Sequence, residues 1–144
     1  MWLLLAHATA TLFMVGLIWV IQLVHYPLFA RIGAAEFEAY EREHMRRIGW
    51  IVGPVMTVEL ATAGLLAWRL PAGVMPVLAW SGLAMVVAIW VSTAAVQAPL
   101  HARLARGKDE RLIARLVSSN WLRTVLWSAR GGVAMAMLVQ GIAA

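Results

Sequence analysis

The sequence predicts an all-α fold: an integral membrane four-helix bundle, built as two helical-hairpin-like repeats related by a pseudo-two-fold along the membrane normal, with long cytoplasmic helix extensions. Three observations predict it. Hydrophobic residues make up 62% of the 144 and charged residues 13%, with a mean hydropathy of +0.78, a balance typical of membrane chains. Apolar runs recur at about 2–26, 50–68, 74–97 and 120–142, each close to the ~20 residues a helix needs to cross a bilayer. The motif V-x-x-P-L-x-A-R occurs twice, as Val24 to Arg31 and Val96 to Arg103, each followed by a branched aliphatic residue, Ile32 or Leu104. Residues 1–144 therefore read as a single four-span domain.

The net charge of +5 does not point to nucleic acid, because the arginines flank apolar segments as topology signals do. With no cysteine in the chain, disulfides, thiolate metal sites and cysteine nucleophiles are all excluded. The expected partners are the lipid bilayer and a small aromatic ligand, with a homo-oligomer left open.

The first run, from Trp2 to Val24, has no basic residues ahead of it and reads as a spanning helix rather than a cleaved leader. Beyond it, residues 35–49 place Phe37, Tyr40, His44 and Ile48 on one helical face, with Glu38/Arg42 and Glu43/Arg47 as i,i+4 pairs on the rest. That amphipathic stretch runs into the second span, so a continuous helix is expected near 35–68, with Pro54 as a site for a kink. Arg69 to Gly73, with Pro71, makes a tight turn into the third span. Asp109 to Ser119 repeats the amphipathic pattern and leads to a second long helix near 109–142. Of the twelve Lys and Arg residues, Arg69 alone lies in the short turn. The positive-inside rule then makes the two long connections cytoplasmic and both termini outward, N-out and C-out, in the inner membrane of a bacterial cell. Trp2, Trp68 and Trp80 would mark the outer interface, and Trp50 and Trp121 the inner one.

The fourth span carries the most informative stripe. Asn120, Arg123, Trp127 and Arg130 recur at spacings of three, four and three, so a helix puts them on one face. Arg130 lies about 15 Å below Asn120 at ~1.5 Å per residue, a depth at which a guanidinium must face the bundle interior or a wet cavity. Glu59 lies nine residues after Trp50 and so reaches a similar depth, which predicts a pair with Arg130, Arg123 or both. Gln22 and His25 end the first span, and Thr93 and Gln97 the third. Four residues' more offset than the repeat brings His44-x-x-Arg47 against Asn120-x-x-Arg123.

VHYPLFARIG, the Pro54/Glu59/Thr62 span, VQAPLHARLARG and NWLRTVLWSARG together resemble the anthrone-oxygenase-like family of small four-helix membrane proteins. In that family a Pro-Leu exit from the third span precedes a fourth span opening with a Trp/Asn-x-x-Arg-Thr pattern; here these are Pro99, Leu100, Asn120, Arg123 and Thr124. The resemblance implies a cofactor-independent oxygenase acting on polycyclic phenolic anthrones.

The residues suit such chemistry, which needs a base, cations for the resulting oxyanion and a dry cavity. His25, Glu59 and Arg123 are the expected catalytic groups, with His25 or Glu59 as base. Gln22, Trp90, Gln97, Asn120, Trp127 and Arg130 are the expected substrate contacts, the two tryptophans stacking a flat ring. All are expected to converge on one cavity, with no cofactor. Two alternatives stand beside this: a non-enzymatic carrier or partner subunit with a structural Glu59–Arg130 pair, and a haem or metal protein using His25 and His101.

Overall fold

A computed structural model describes residues 1–144, and it is all helical. Four helical runs are long and apolar enough to cross a membrane: α1, Trp2–Arg31; α2, Ala34–Trp68; α3, Pro76–Leu104; and α4, Glu110–Ala143. The chain is thus an integral membrane protein by helix length and composition.

The two long helices form as their amphipathic patterns require. α2 is unbroken over 35 residues and continues through Pro54. α4 is unbroken over 34 and begins at a capping aspartate, whose side chain accepts from the backbone N–H groups of Arg111 and Leu112. In α2 the buried face of the extension is Phe37, Glu41 and His44, whereas Tyr40, expected on that face, is 38% exposed. The spacing of four and three carries the stripe through Glu41 rather than Tyr40.

α1 and α3 each contain one π turn, Ile21–His25 and Thr93–Gln97. The N–H of Tyr26 reaches back to Ile21, and that of Ala98 to Thr93. In both helices the next residue is proline, Pro27 or Pro99, which supplies no N–H and crowds the carbonyl four residues earlier. The widened turn relieves that crowding, and such bulges recur at functional sites.

The helices pack as a square. α1 and α3 each lie against α2 and α4, so α1/α3 and α2/α4 are the diagonals. Gly131 lets α4 approach α1 closely, since a Cβ there would stand 3.1 Å from Val15. A larger apolar cluster, including Met14, Ile18, Phe29, Phe37, Leu104, Leu116 and Trp127, fills the half toward the α1–α2 and α3–α4 links; Leu4, Leu66, Val74, Ala79 and Met137 fill the other end. Phe13, Leu23, Val58, Val87, Val125 and Val139 point outward, the arrangement expected of a bundle whose solvent is lipid. Trp2, Trp50, Trp68 and Trp80 are among the most exposed side chains. Lys108, in the short link between α3 and α4, donates to the carbonyls of Ala30 and Ile32 at 2.9 Å each, a cation on the free carbonyls ending α1.

Candidate functional site

The polar interior is divided into layers. The deepest is built on Arg130, 1% exposed. Its Nη2 lies 3.0 Å from Glu59 Oε1 on α2, and the same nitrogen reaches Thr11 Oγ1 on α1 at 3.4 Å. Its Nη1 donates to the carbonyl of Gly82 on α3. One guanidinium therefore engages all three other helices, with the ion pair across the α2/α4 diagonal. Trp127 Nε1 donates to the second carboxylate oxygen of Glu59 at 3.0 Å, and His7 and Thr62 bond one turn further along. This layer is closed, with every polar atom of Glu59 and Arg130 partnered.

The next layer joins α1 to α4. Asn120 Nδ2 donates to Gln22 Oε1 at 2.8 Å, and Thr124 Oγ1 donates to the same oxygen. Gln22 Nε2 donates to the Val117 carbonyl. Asn120 Oδ1 accepts from Arg123 Nη1 at 3.2 Å, and the guanidinium of Arg123 lies over the Trp127 ring at 5.1 Å.

Above these lies a cavity of about 290 Å³ whose wall includes Tyr26, His44, Trp90, Gln97, His101 and Arg123, among apolar groups such as Ile21, Val52 and Met56. Three buried wall atoms have no hydrogen-bond partner: His44 Nε2, Trp90 Nε1 and Arg123 Nε. Tryptophan and arginine nitrogens can only donate, and a histidine nitrogen can donate in one tautomer. Unmet buried donors cost about 1–3 kcal/mol each, so each of the three calls for an acceptor that no other side chain supplies. A second cavity of about 450 Å³, between α1 and α2, is lined by His25, Tyr40, Glu43, His44 and Arg47 with Leu17, Ile21 and Ile48. His44 belongs to both walls, and its Nδ1 lies 2.8 Å from His25 Nε2.

The expected site residues are thus distributed rather than gathered in one space. Arg123, Trp90 and Gln97 line the smaller cavity. Gln97 accepts from Ser92 and donates toward Ser119. His25 opens on the larger cavity. Gln22 and Asn120 brace α1 against α4, while Glu59, Trp127 and Arg130 sit in the closed layer, Trp127 with no exposed surface for a ligand to stack on. Helix rise gives relative depth but not facing, so it does not separate a packed layer from a cavity wall.

Tyr26, Glu41 and His44 are the groups sequence reasoning left out of the site. Glu41 is fully buried, and its Oε1 lies 2.5 Å from His101 Nδ1; His101 Nε2 lies 2.9 Å from the Tyr26 hydroxyl. The one available signal was Phe37-x-x-x-Glu41-x-x-His44, a carboxylate on the apolar stripe of an otherwise well-paired charged helix. His25 and His101, the pair weighed for haem or metal, each have another partner. No group of three or more His, Asp or Glu side chains has the arrangement to hold a metal ion.

No protein-family model, curated protein or solved structure matches the chain. The functional reading therefore stands on the cavity itself and on the motifs described above.

Proposed function

We propose that this protein is a membrane-embedded, cofactor-independent oxygenase-like enzyme that takes a flat, weakly acidic phenolic or quinol-type molecule, of which anthrone is the type, into the 290 Å³ cavity. The observation that carries the reading is the set of three unpartnered atoms, His44 Nε2, Trp90 Nε1 and Arg123 Nε. Donors preset on residues of one cavity wall stabilise an oxyanion without reorganising as charge develops. The volume lies near the lower bound of ligand pockets, ~300 Å³, which suits a compact ring system better than a lipid chain. His25 serves as a positioning residue: when its Nε2–H donates to His44 Nδ1, His44 Nε2 carries the proton and is a free donor. The motifs shared with the anthrone-oxygenase-like family support the same substrate class.

The chemistry balances without a metal. A base removes one methylene proton from anthrone, and the electron pair delocalises onto the ring oxygen held by the three donors. The carbanion carbon bonds dioxygen, and the recovered proton completes a hydroperoxide. Loss of the second methylene proton breaks the O–O bond, leaving a quinone carbonyl and one water.

The wider architecture belongs to the same proposal. The same offset separates the two π turns and the two Pro-Leu exits, which supports two repeats related by an axis along the membrane normal. The basic connections support N-out, C-out insertion in a bacterial inner membrane.

The test is oxygen uptake by purified, metal-stripped protein with a panel of phenolic substrates including anthrone. The expected result is uptake that falls in Arg123→Ala and His25→Ala while the bundle stays folded. A background rate across the panel overturns the oxygenase, and a rate restored only by added iron or copper favours the metal reading. The closed Glu59–Arg130 layer favours the second reading, a non-enzymatic module, for that layer alone: its groups are saturated by one another.

A further inference from the structure

Three donors around an oxygen do not by themselves take a proton from carbon. His25 and Glu59, the groups that sequence suggests as base, are committed elsewhere, one to His44 and one to Arg130 and Trp127. The cavity wall holds another candidate. Tyr26, 4% exposed, places its hydroxyl 2.9 Å from His101 Nε2, and the other nitrogen of that imidazole lies 2.5 Å from Glu41 Oε1. A carboxylate only accepts, so His101 Nδ1 carries the proton; Nε2 is then the acceptor, and the Tyr26 hydroxyl donates to it. The three residues come from three helices, α2, α3 and α1, and both Tyr26 and His101 line the cavity that carries the donors. The fully buried ring of Phe29 packs against Tyr26 and His101 at centroid distances of 5.6 and 6.3 Å.

We propose that Glu41, His101 and Tyr26 form the proton-accepting triad of the cavity, with Tyr26 as the group that meets the substrate and His101 and Glu41 as positioning residues. This rests on the reading of the cavity as a site for a weakly acidic ring molecule. As the substrate C–H bond breaks, its proton passes to the Tyr26 oxygen while the Tyr26 proton passes to His101 Nε2. The electron pair stays on the substrate and delocalises toward Arg123, Trp90 and His44. The imidazolium is held by Glu41, the arrangement of orienting acid, imidazole and hydroxyl that acyl-transfer triads use. Return of the proton from His101 through Tyr26 to the peroxide restores the resting state.

The experiment separates proton removal from oxidation. Full-length protein in lipid vesicles is incubated without oxygen with anthrone deuterated at the methylene, and loss of deuterium to water is measured above protein-free vesicles. Oxygen uptake is measured in parallel, and binding of anthraquinone is followed by equilibrium dialysis. Wild-type protein is expected to exchange; Tyr26→Phe should lose about 100-fold or more of that rate with anthraquinone binding retained. Glu41→Gln keeps shape and a hydrogen bond but can present its amide nitrogen to His101, inverting the tautomer. It should lose kcat on a similar scale with KM near wild type, a split that a packing role would not produce. His101→Gln is the further variant should Tyr26→Phe not fold. Exchange that persists in folded, ligand-binding Tyr26→Phe and Glu41→Gln overturns the triad and leaves the cavity reading standing. Exchange without oxygen uptake sustains the triad and sinks the oxygenase. Absence of both in wild type overturns both.

Discussion

Arg130 is the residue on which the interior depends most. Its bonds to Thr11, Glu59 and Gly82 mean that Arg130→Met leaves a buried carboxylate without a counter-charge, at an expected cost of about 3–5 kcal/mol. Replacing Glu59 as well removes that charge and should recover part of the loss. It should not recover all of it, because Trp127 Nε1 is left without its acceptor, a further ~1–3 kcal/mol. Thermal unfolding of the two single variants and the double variant in detergent measures the coupling; additive losses would show that the pair does not act as a unit. Glu59 and Arg130 were legible in the sequence because charge inside an apolar run stands out, and equal depth leaves few partners. Glu41 was not, since the same carboxylate in a charged helix looks solvated. Its burial follows from a long-range contact with His101, sixty residues away, which local spacing does not encode.

The π turns act at the scale of the element. In α1 the extra residue is accommodated just before Pro27, and it sets the rotation at which His25 and Tyr26 leave the helix. Deleting Leu23, an exposed residue within the turn, should force an ordinary α-turn against the proline ring and cost about 3 kcal/mol or more. Adding Pro27→Ala to the deletion should restore much of that stability, and thermal melts of both variants check it. Activity should stay lost in the restored protein, because Tyr26 no longer meets His101. The helices themselves were readable to within a residue or two where an amphipathic stripe continued into an apolar run, as in α2 and α4. The π turns were not: the proline announces a disturbance, but whether the chain kinks, breaks or widens depends on what its neighbours accept.

For the whole molecule, the asymmetry of charge predicts that reporter fusions at Ala144 stay outside the cytoplasm and that fusions in the 105–109 connection lie within it; the reverse labelling would overturn the orientation. Exchanging Arg103, Arg106 and Lys108 for neutral residues should weaken that bias. The four spans were legible because lipid demands length and apolarity from each one separately. The square arrangement and its division into closed layers and cavities depend on which faces meet, and one chain's composition does not carry that. The tie of Arg130 to all three other helices also bears on how the protein is made. α4 is the least apolar span, with mean hydropathy 1.3 against 2.0 for α1, and each arginine near its middle opposes insertion by ~2.5–3.5 kcal/mol. Thr11, Glu59 and Gly82 all lie on helices that leave the ribosome earlier. α4 thus depends, for the burial of its arginine, on groups that α1, α2 and α3 supply, and a chain that stops short of Arg130 leaves the Glu59 carboxylate without its counter-charge.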